Sequence, residues 1–270
     1  MLNAWNEVEA TRANAPLALL AYASRLLGRD DTLVLHGGGN TSLKLGGVLH
    51  VKGTGRDLAS VDESAFTPLD LARSRAVLDA DPADNAAMRA LLAPCVTQHP
   101  APAPSIETLM HASLPHACVM HTHAYDVLAA LNIASIEAVH AQVFGKLAPL
   151  VPYRHSGHAL ARACMEAYAK HATSDTIGLM LAYHGIVSFG DGVRAAYDNM
   201  LALVTRAEAW LKSRSAWALP DSGACATAPG PSDKLLHDIN AAAGKPLVCK
   251  IVNSALTRAY AARQIGRAHV

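Results

Sequence analysis

The sequence predicts a layered α/β domain whose sheet is largely antiparallel. Three observations lead there. Short apolar runs are interspersed with longer amphipathic ones, the pattern of strands mixed with helices. Several strand candidates are joined by tight glycine turns rather than by crossover helices, which favours antiparallel pairing. The chain has 270 residues, 51% of them hydrophobic, enough to bury a core without covalent staples.

Each element has a local reason. Pro16 to Gly28 reads as a helix, with Leu17, Leu20, Ala21, Ser24 and Leu27 on one face, proline at its start and glycine at its end. Thr32 to His36 reads as a short strand entering a glycine-rich turn, Gly37 to Ser42. A hairpin follows: Leu43–Leu45, a Gly46-Gly47 turn and Val48–Val51. Gly53-Thr54-Gly55 makes another turn. Leu69–Asp79 and Asn85–Ala93 are helical in pattern, and Gln98–Ser105 is proline-rich and extended. Ser105 and Thr108 each suit the cap of a helix from Glu107 to Ser113.

Further on, Ala117–His121 is a buried-type strand and Ala124–Leu131 a helix behind it. Gly157–Ala172 is a long helix. Ile177–Leu181 and Gly185–Phe189 are strands joined through Tyr183-His184-Gly185. Val193–Ser213 is amphipathic, with Ala196, Met200, Leu203, Val204, Ala207 and Leu211 on one side. Residues 1–217 are expected to form the main domain and 218–233 a linker, rich in small residues with Pro and Gly. Lys234–Ala243 reads as a helix and Pro246–Val252 as a strand, expected to begin a second domain over 234–264 that is cut short. Ile265–Val270 matches one reading frame of a common sequencing adapter, so these residues are expected to be non-biological.

Composition narrows the function. A formal net charge of +1 gives no electrostatic footprint for nucleic acid or an anionic membrane. Met1 to Thr11 carries acidic residues without an apolar run, unlike a secretory signal, and no apolar stretch suits a membrane span. The five cysteines are odd in number and lack Cys-x-x-Cys spacing, which argues against disulfides and thiolate zinc and fits the cytoplasm. The 14 histidines invite a metal reading.

His121-Thr122-His123 ends an apolar strand, where residues two apart face the same way and can meet one ion. His184 lies between two other apolar strands, beside Gly185, which lets the backbone turn inward. Three histidines leave the open position a catalytic zinc needs. Glu107, near a helix start, is the natural fourth group and a candidate general base. The other eleven histidines, His111 among them, are read as surface or core residues.

The two glycine turns offer exposed N–H groups to an anion, with Asn40, Thr41, Ser42, Thr54 and Ser105 as further donors. They fit neither a dinucleotide fingerprint nor a Walker loop, so nucleotide binding is not expected.

Together these pieces resemble the class II aldolase/adducin family. The residues that carry the likeness are Gly39-Asn40-Thr41-Ser42, Lys52-Gly53-Thr54-Gly55, Pro104-Ser105-Ile106-Glu107, His121-Thr122-His123 and Tyr183-His184-Gly185, in the family's order over about Leu17 to Leu211. Within the family, His36 to Ser42, Val51 to Leu58 and Ala103 to Leu109 resemble the aldolase half of bifunctional rhamnulose-phosphate aldolase/short-chain dehydrogenase proteins. The resemblance implies a three-layer α-β-α sandwich. It implies Zn2+ or another divalent metal on His121, His123, His184 and Glu107, with Glu107 also catalytic. Gly39, Asn40, Thr54, Gly55 and Ser105 would hold a substrate phosphate. The implied activity is reversible cleavage of a phosphorylated ketose, of the rhamnulose 1-phosphate type, to dihydroxyacetone phosphate and an aldehyde. Epimerases, decarboxylases and non-catalytic adducin-like modules share the scaffold. Ile106 departs from the pattern, since sugar-phosphate aldolases often carry a second hydroxyl there. A homo-oligomer, commonly a tetramer, is implied too, and Tyr153, Tyr183 and His155 are candidates for a second acid.

Overall fold

The computed structural model describes residues 3–35, 38–216 and 232–243. The chain divides into two compact units, 1–211 and 212–270.

The first unit opens with α1 (Glu7–Arg12), whose start is capped by the Asn6 side chain, and α2 (Pro16–Gly28), which starts on proline. Next come β1 (Asn40–Leu45) and β2 (Val48–Lys52). Leu45 pairs with Val48 across Gly46 and Gly47, both at positive φ, so the hairpin closes on the two-residue turn that glycine permits. β3 (Phe66–Asp70), α3 (Leu71–Asp79), α4 (Asn85–Leu92), α5 (Thr108–Ser113) and β4 (Cys118–Thr122) follow. The unit continues with α6 (Tyr125–Leu131), α7 (Ile136–Val143), β5 (Leu150–Val151), α8 (His158–His171), β6 (Gly178–Leu181), β7 (Gly185–Gly190) and α9 (Val193–Ser213).

The strands form one sheet in the order β3-β2-β1-β4-β7-β6-β5. Every neighbouring pair is antiparallel except β5 and β6. Two hydrophobic cores lie on its two faces. One gathers α2, α6, α7 and α9, and the other α3, α4, α5 and α8. Alternation along β4 assigns the faces: Cys118 and Met120 join the first core and Val119 the second. The expected three-layer sandwich is observed, and its sheet is largely antiparallel as expected.

Local departures have physical causes. The strand expected at Thr32–His36 does not form within the described residues. The Asp30 carboxylate accepts from the Thr32 N–H at 2.9 Å, and the Asp30 carbonyl accepts from Leu33 and Val34, curling the chain into a turn. The glycine turn is shorter than expected, because Asn40, Thr41 and Ser42 already belong to β1 and pair with β4. The helix expected from Leu69 begins at Leu71, since Phe66–Asp70 is an edge strand where Pro68 is tolerated. Asp70 then caps α3, accepting from the Arg73 N–H at 2.9 Å. Strand β5 and helix α7 carry signals too short for the sequence reading to separate from loop.

In the second unit, α10 (Asp233–Ala243) matches the expected helix, and Ser232 Oγ accepts from the Leu235 N–H at 3.2 Å. Most of the expected linker, the strand at Pro246–Val252 and the segment Ile265–Val270 lie outside the described residues. No described helix is long and apolar enough to cross a membrane. Cys95, Cys118 and Cys164 are buried free thiols.

Candidate active site

The site gathers where β1, β4 and β7 lie side by side. Asn40, the first residue of β1, pairs with His121 near the end of β4, and His121 also pairs with Val187 of β7. His121 follows Val119 by two residues and so faces the α5 and α8 side of the sheet. His123 leaves the end of β4, and His184 sits in the turn between β6 and β7. Close backbone approach makes this possible. A Cβ on Gly185 would lie 2.4 Å from the Thr122 carbonyl oxygen and 3.3 Å from His121 Cε1. A Cβ on Gly39 would lie 2.9 Å from the His121 carbonyl oxygen. Tyr183, just before His184, holds the left-handed region at φ 58°, a strained conformation of the kind that gathers at functional sites.

These constraints bring the three imidazoles together. One ring nitrogen from each of His121, His123 and His184 lies within 4.8 Å of the others. His121 Nε2 is 3.1 Å from His123 Nε2. Glu107 joins them from the segment entering α5, with Oε2 3.5 Å from His121 Nε2 and Oε1 3.3 Å from His184 Nε2. Tetrahedral zinc with nitrogen ligands at 2.0–2.1 Å needs donor separations of about 3.4 Å, so the set fits one divalent ion. Tautomer agrees. His121 Nδ1 lies 2.9 Å from the Ile186 carbonyl, so that nitrogen carries the proton and Nε2 turns its lone pair inward. Two such lone pairs at 3.1 Å repel unless a proton or a cation lies between them.

Burial sets the charge states. Desolvation pushes the His121 pKa down to about 3 and lowers that of His123, keeping both imidazoles neutral and able to ligate. Burial also works against the charged form of Glu107. The His121 and His184 imidazoles and the Asn40 amide outweigh it and hold the carboxyl down at about 2. Asn40 Nδ2 donates to Glu107 Oε2 at 2.7 Å, and Ser156 Oγ donates to Oε1 at 3.1 Å.

The expected anion-binding residues are partly assembled. Gly53 bridges to Pro104, and the Thr54 N–H donates to the Ala103 carbonyl, which sets the Thr54-Gly55 turn beside the segment carrying Ser105. Asn40 Nδ2 is 3.5 Å from Ser105 Oγ. Neither expected cap forms. Ser105 Oγ accepts from the Glu107 N–H, Thr108 Oγ donates back to the Ser105 carbonyl, and Glu107 occupies the cap position of α5 without a side-chain bond. Tyr153 lies near both Tyr183 and His155, with ring centres 6.5 and 5.6 Å away.

Comparison with known proteins decides the family. The model of the class II aldolase and adducin N-terminal domain matches residues 18–211. The chain belongs to the class II aldolase/adducin family. A solved class II aldolase domain of a protein from Thermoplasma acidophilum is 33% identical, with a TM-score of 0.71 over 78% of this chain and 99% of that one. YgbL from Klebsiella pneumoniae, described no further than aldolase/epimerase/decarboxylase, shares the fold at 18% identity and a TM-score of 0.55, over 74% of this chain and 90% of that one. The uncharacterized oxidoreductase YuxG of Bacillus subtilis is 29% identical over 78% of this chain. The chain spans about a third of that relative's length, 32%.

Two groups of this class II aldolase domain escaped the sequence reading. His111 is fully buried, as a core histidine would be, but both its ring nitrogens are engaged with β1: Nδ1 with Ser42 Oγ at 2.7 Å, Nε2 with Asn40 Oδ1. Its signal was the spacing of four from Glu107, which puts both on one helical face. Ser156 gave no signal, because it reaches Glu107 from a loop.

Proposed function

We propose that this domain cleaves a phosphorylated ketose, of the rhamnulose 1-phosphate type, reversibly to dihydroxyacetone phosphate and an aldehyde. The observation that carries the reading is the convergence of three imidazoles and one carboxylate at the end of the central strands.

In this reading His121, His123, His184 and Glu107 would hold a divalent ion, Zn2+ or another metal that imidazole and carboxylate donors suit. The bound ion supplies a Lewis acid for the substrate's oxygens. Glu107 moves the proton. In the cleavage direction a base takes the proton of the C4 hydroxyl, the C3–C4 bond breaks, and the electron pair left at C3 is protonated. Glu107, held in place by Asn40 and Ser156, first takes up a proton from solvent water and passes it to C3, while the first base gives its own proton back to solvent. Tyr153, Tyr183, His155 or a residue of a neighbouring subunit takes the first. Gly39, Asn40, Thr54, Gly55 and Ser105 anchor the phosphate, with the Asn40 amide nitrogen 3.5 Å from Ser105 Oγ beside its bond to Glu107. We take the domain to act in the cytoplasm as a homo-oligomer, a tetramer by family likeness, which light scattering on the purified protein checks.

The deciding experiment is elemental analysis of the purified chain followed by an assay on rhamnulose 1-phosphate with product identification. Dihydroxyacetone phosphate plus an aldehyde supports the lyase reading. An epimerised sugar phosphate or released carbon dioxide replaces it with epimerase or decarboxylase chemistry, and a protein that takes up no divalent metal overturns it.

A further inference from the structure

His111 lies behind the proposed metal centre, on α5, with no exposed surface. Its surroundings determine its chemistry step by step. Asn40 Nδ2 donates to Glu107 Oε2 at 2.7 Å, which places the amide nitrogen of Asn40 on the Glu107 side. Asn40 Oδ1 then faces His111 Nε2, and an amide oxygen can only accept. Nε2 therefore carries the proton. A buried neutral imidazole has one proton, so Nδ1 is an acceptor, and the Ser42 hydroxyl 2.7 Å away supplies the hydrogen. Ser42 and Asn40 are two residues apart on β1 and face the same way, which lets one ring bridge both.

We propose that His111 is a positioning residue for Glu107: locked as the neutral Nε2–H tautomer between Ser42 and Asn40, it keeps the Asn40 amide nitrogen toward the carboxylate. The proposal rests on the site reading above. It adds a residue that touches neither substrate nor metal. Without the Nε2–H donor, Asn40 Oδ1 loses its buried partner, and the amide is oriented from the Glu107 side alone. A flipped amide sets its oxygen against a carboxylate oxygen, replacing a charge-assisted hydrogen bond with repulsion and letting Glu107 swing. Buried histidine and asparagine thus act as one relay, Ser42–His111–Asn40–Glu107, that fixes a carboxylate before any ligand arrives.

Two measurements test it. Nitrogen-15 NMR of histidine-labelled protein reads the tautomer directly, whether or not the protein turns over a sugar phosphate. The expected spectrum has His111 protonated at Nε2 and bare at Nδ1; protonation at Nδ1, or at both nitrogens, overturns the relay. A double-mutant cycle with His111→Phe and Asn40→Ala then reads the coupling in metal affinity and in kcat. His111→Phe alone is expected to lower metal affinity or kcat by about 10- to 100-fold with little change in KM, and to add almost nothing once Asn40 is Ala. Independent, multiplying losses overturn the relay, because a merely structural histidine would act in both backgrounds. If His111→Phe does not fold, Ser42→Ala carries the test: it removes the hydroxyl donor, and a second, Nδ1-protonated population is expected. An unchanged spectrum overturns the proposal. Absence of aldol cleavage in the wild type would sink the function assigned above while leaving the NMR and metal-affinity results to judge His111.

Discussion

Asn40 Nδ2 and Glu107 Oε2 lie 2.7 Å apart, joining residues separated by 67 positions in sequence. That bond ties the first residue of a central strand to the acid at the start of α5. Ser156 binds the other oxygen, so the carboxylate enters the site with both oxygens directed. A group so held has little rotamer freedom left to lose when it ligates or accepts a proton.

Glu107→Gln tests the acid directly. The substitution keeps the volume but puts a neutral amide, with a donor on one side, against Asn40, Ser156 and the imidazoles. The variant is expected to retain part of its bound metal and to lose at least about 100-fold in kcat. Wild-type turnover with normal metal content would remove Glu107 from the base role.

Metal dependence gives the second prediction. A chelator should abolish activity, and zinc should restore it in the wild type. His123→Ala should bind little metal and stay inactive after zinc is added. An ion that binds only the folded chain stabilises it, so zinc at 100 times its dissociation constant should stabilise the wild type by about 2.7 kcal/mol and raise its melting temperature. An unchanged melting temperature on zinc addition would count against the centre.

Much of this was legible in the sequence, and the gaps have physical causes. Periodicity located α2, α8 and α9, because each is long and buries one stripe. It failed at β3, where Pro68 disguised an edge strand, and at Thr32, where the Asp30 side chain took the N–H a strand would have used. At the site, His121 and His123 could be paired from spacing alone, since strand alternation fixes their direction. His184 is read from its place between two apolar strands beside Gly185, and the family resemblance then adds to that reading. His111 was set aside because one histidine on a short helix gives no hint that a distant strand will bring Ser42 and Asn40 to its two nitrogens.

Gly185→Ala tests close packing at the centre. The new Cβ would lie 2.4 Å from the Thr122 carbonyl oxygen and 3.2 Å from His123 Cδ2. Backbone cannot retreat cheaply here, because β7 is paired with β4 on one side and β6 on the other. The variant is expected to lose about 2–4 kcal/mol of stability and most of its metal affinity, read by chemical denaturation and metal titration. A variant as stable and as tight-binding as the wild type would mean that the strands can part without cost to the site.

Lys44 supplies a pH prediction away from the site. It lies four residues along β1 from Asn40, half-buried, and donates to the His116 carbonyl at 2.7 Å. Burial, helped by the nearby Arg75, pulls its pKa from 10.5 to about 7. Below about pH 7 the lysine is charged in both folded and unfolded chains, so the folded state bears the full cost of burying that charge. Between the two pKa values the unfolded chain binds more protons, so stability rises with pH, and above the unfolded value the cost is gone. Lys44→Met should therefore stabilise the protein most at low pH, by an amount on the order of 2 kcal/mol, and the gain should fade as pH approaches 10.5. Denaturant unfolding of both proteins at about pH 6 and about pH 10 reads the difference, with kcat unchanged. A gain that is constant with pH would mean that methionine acts by packing alone, and that the Lys44 ammonium bears no such burial cost.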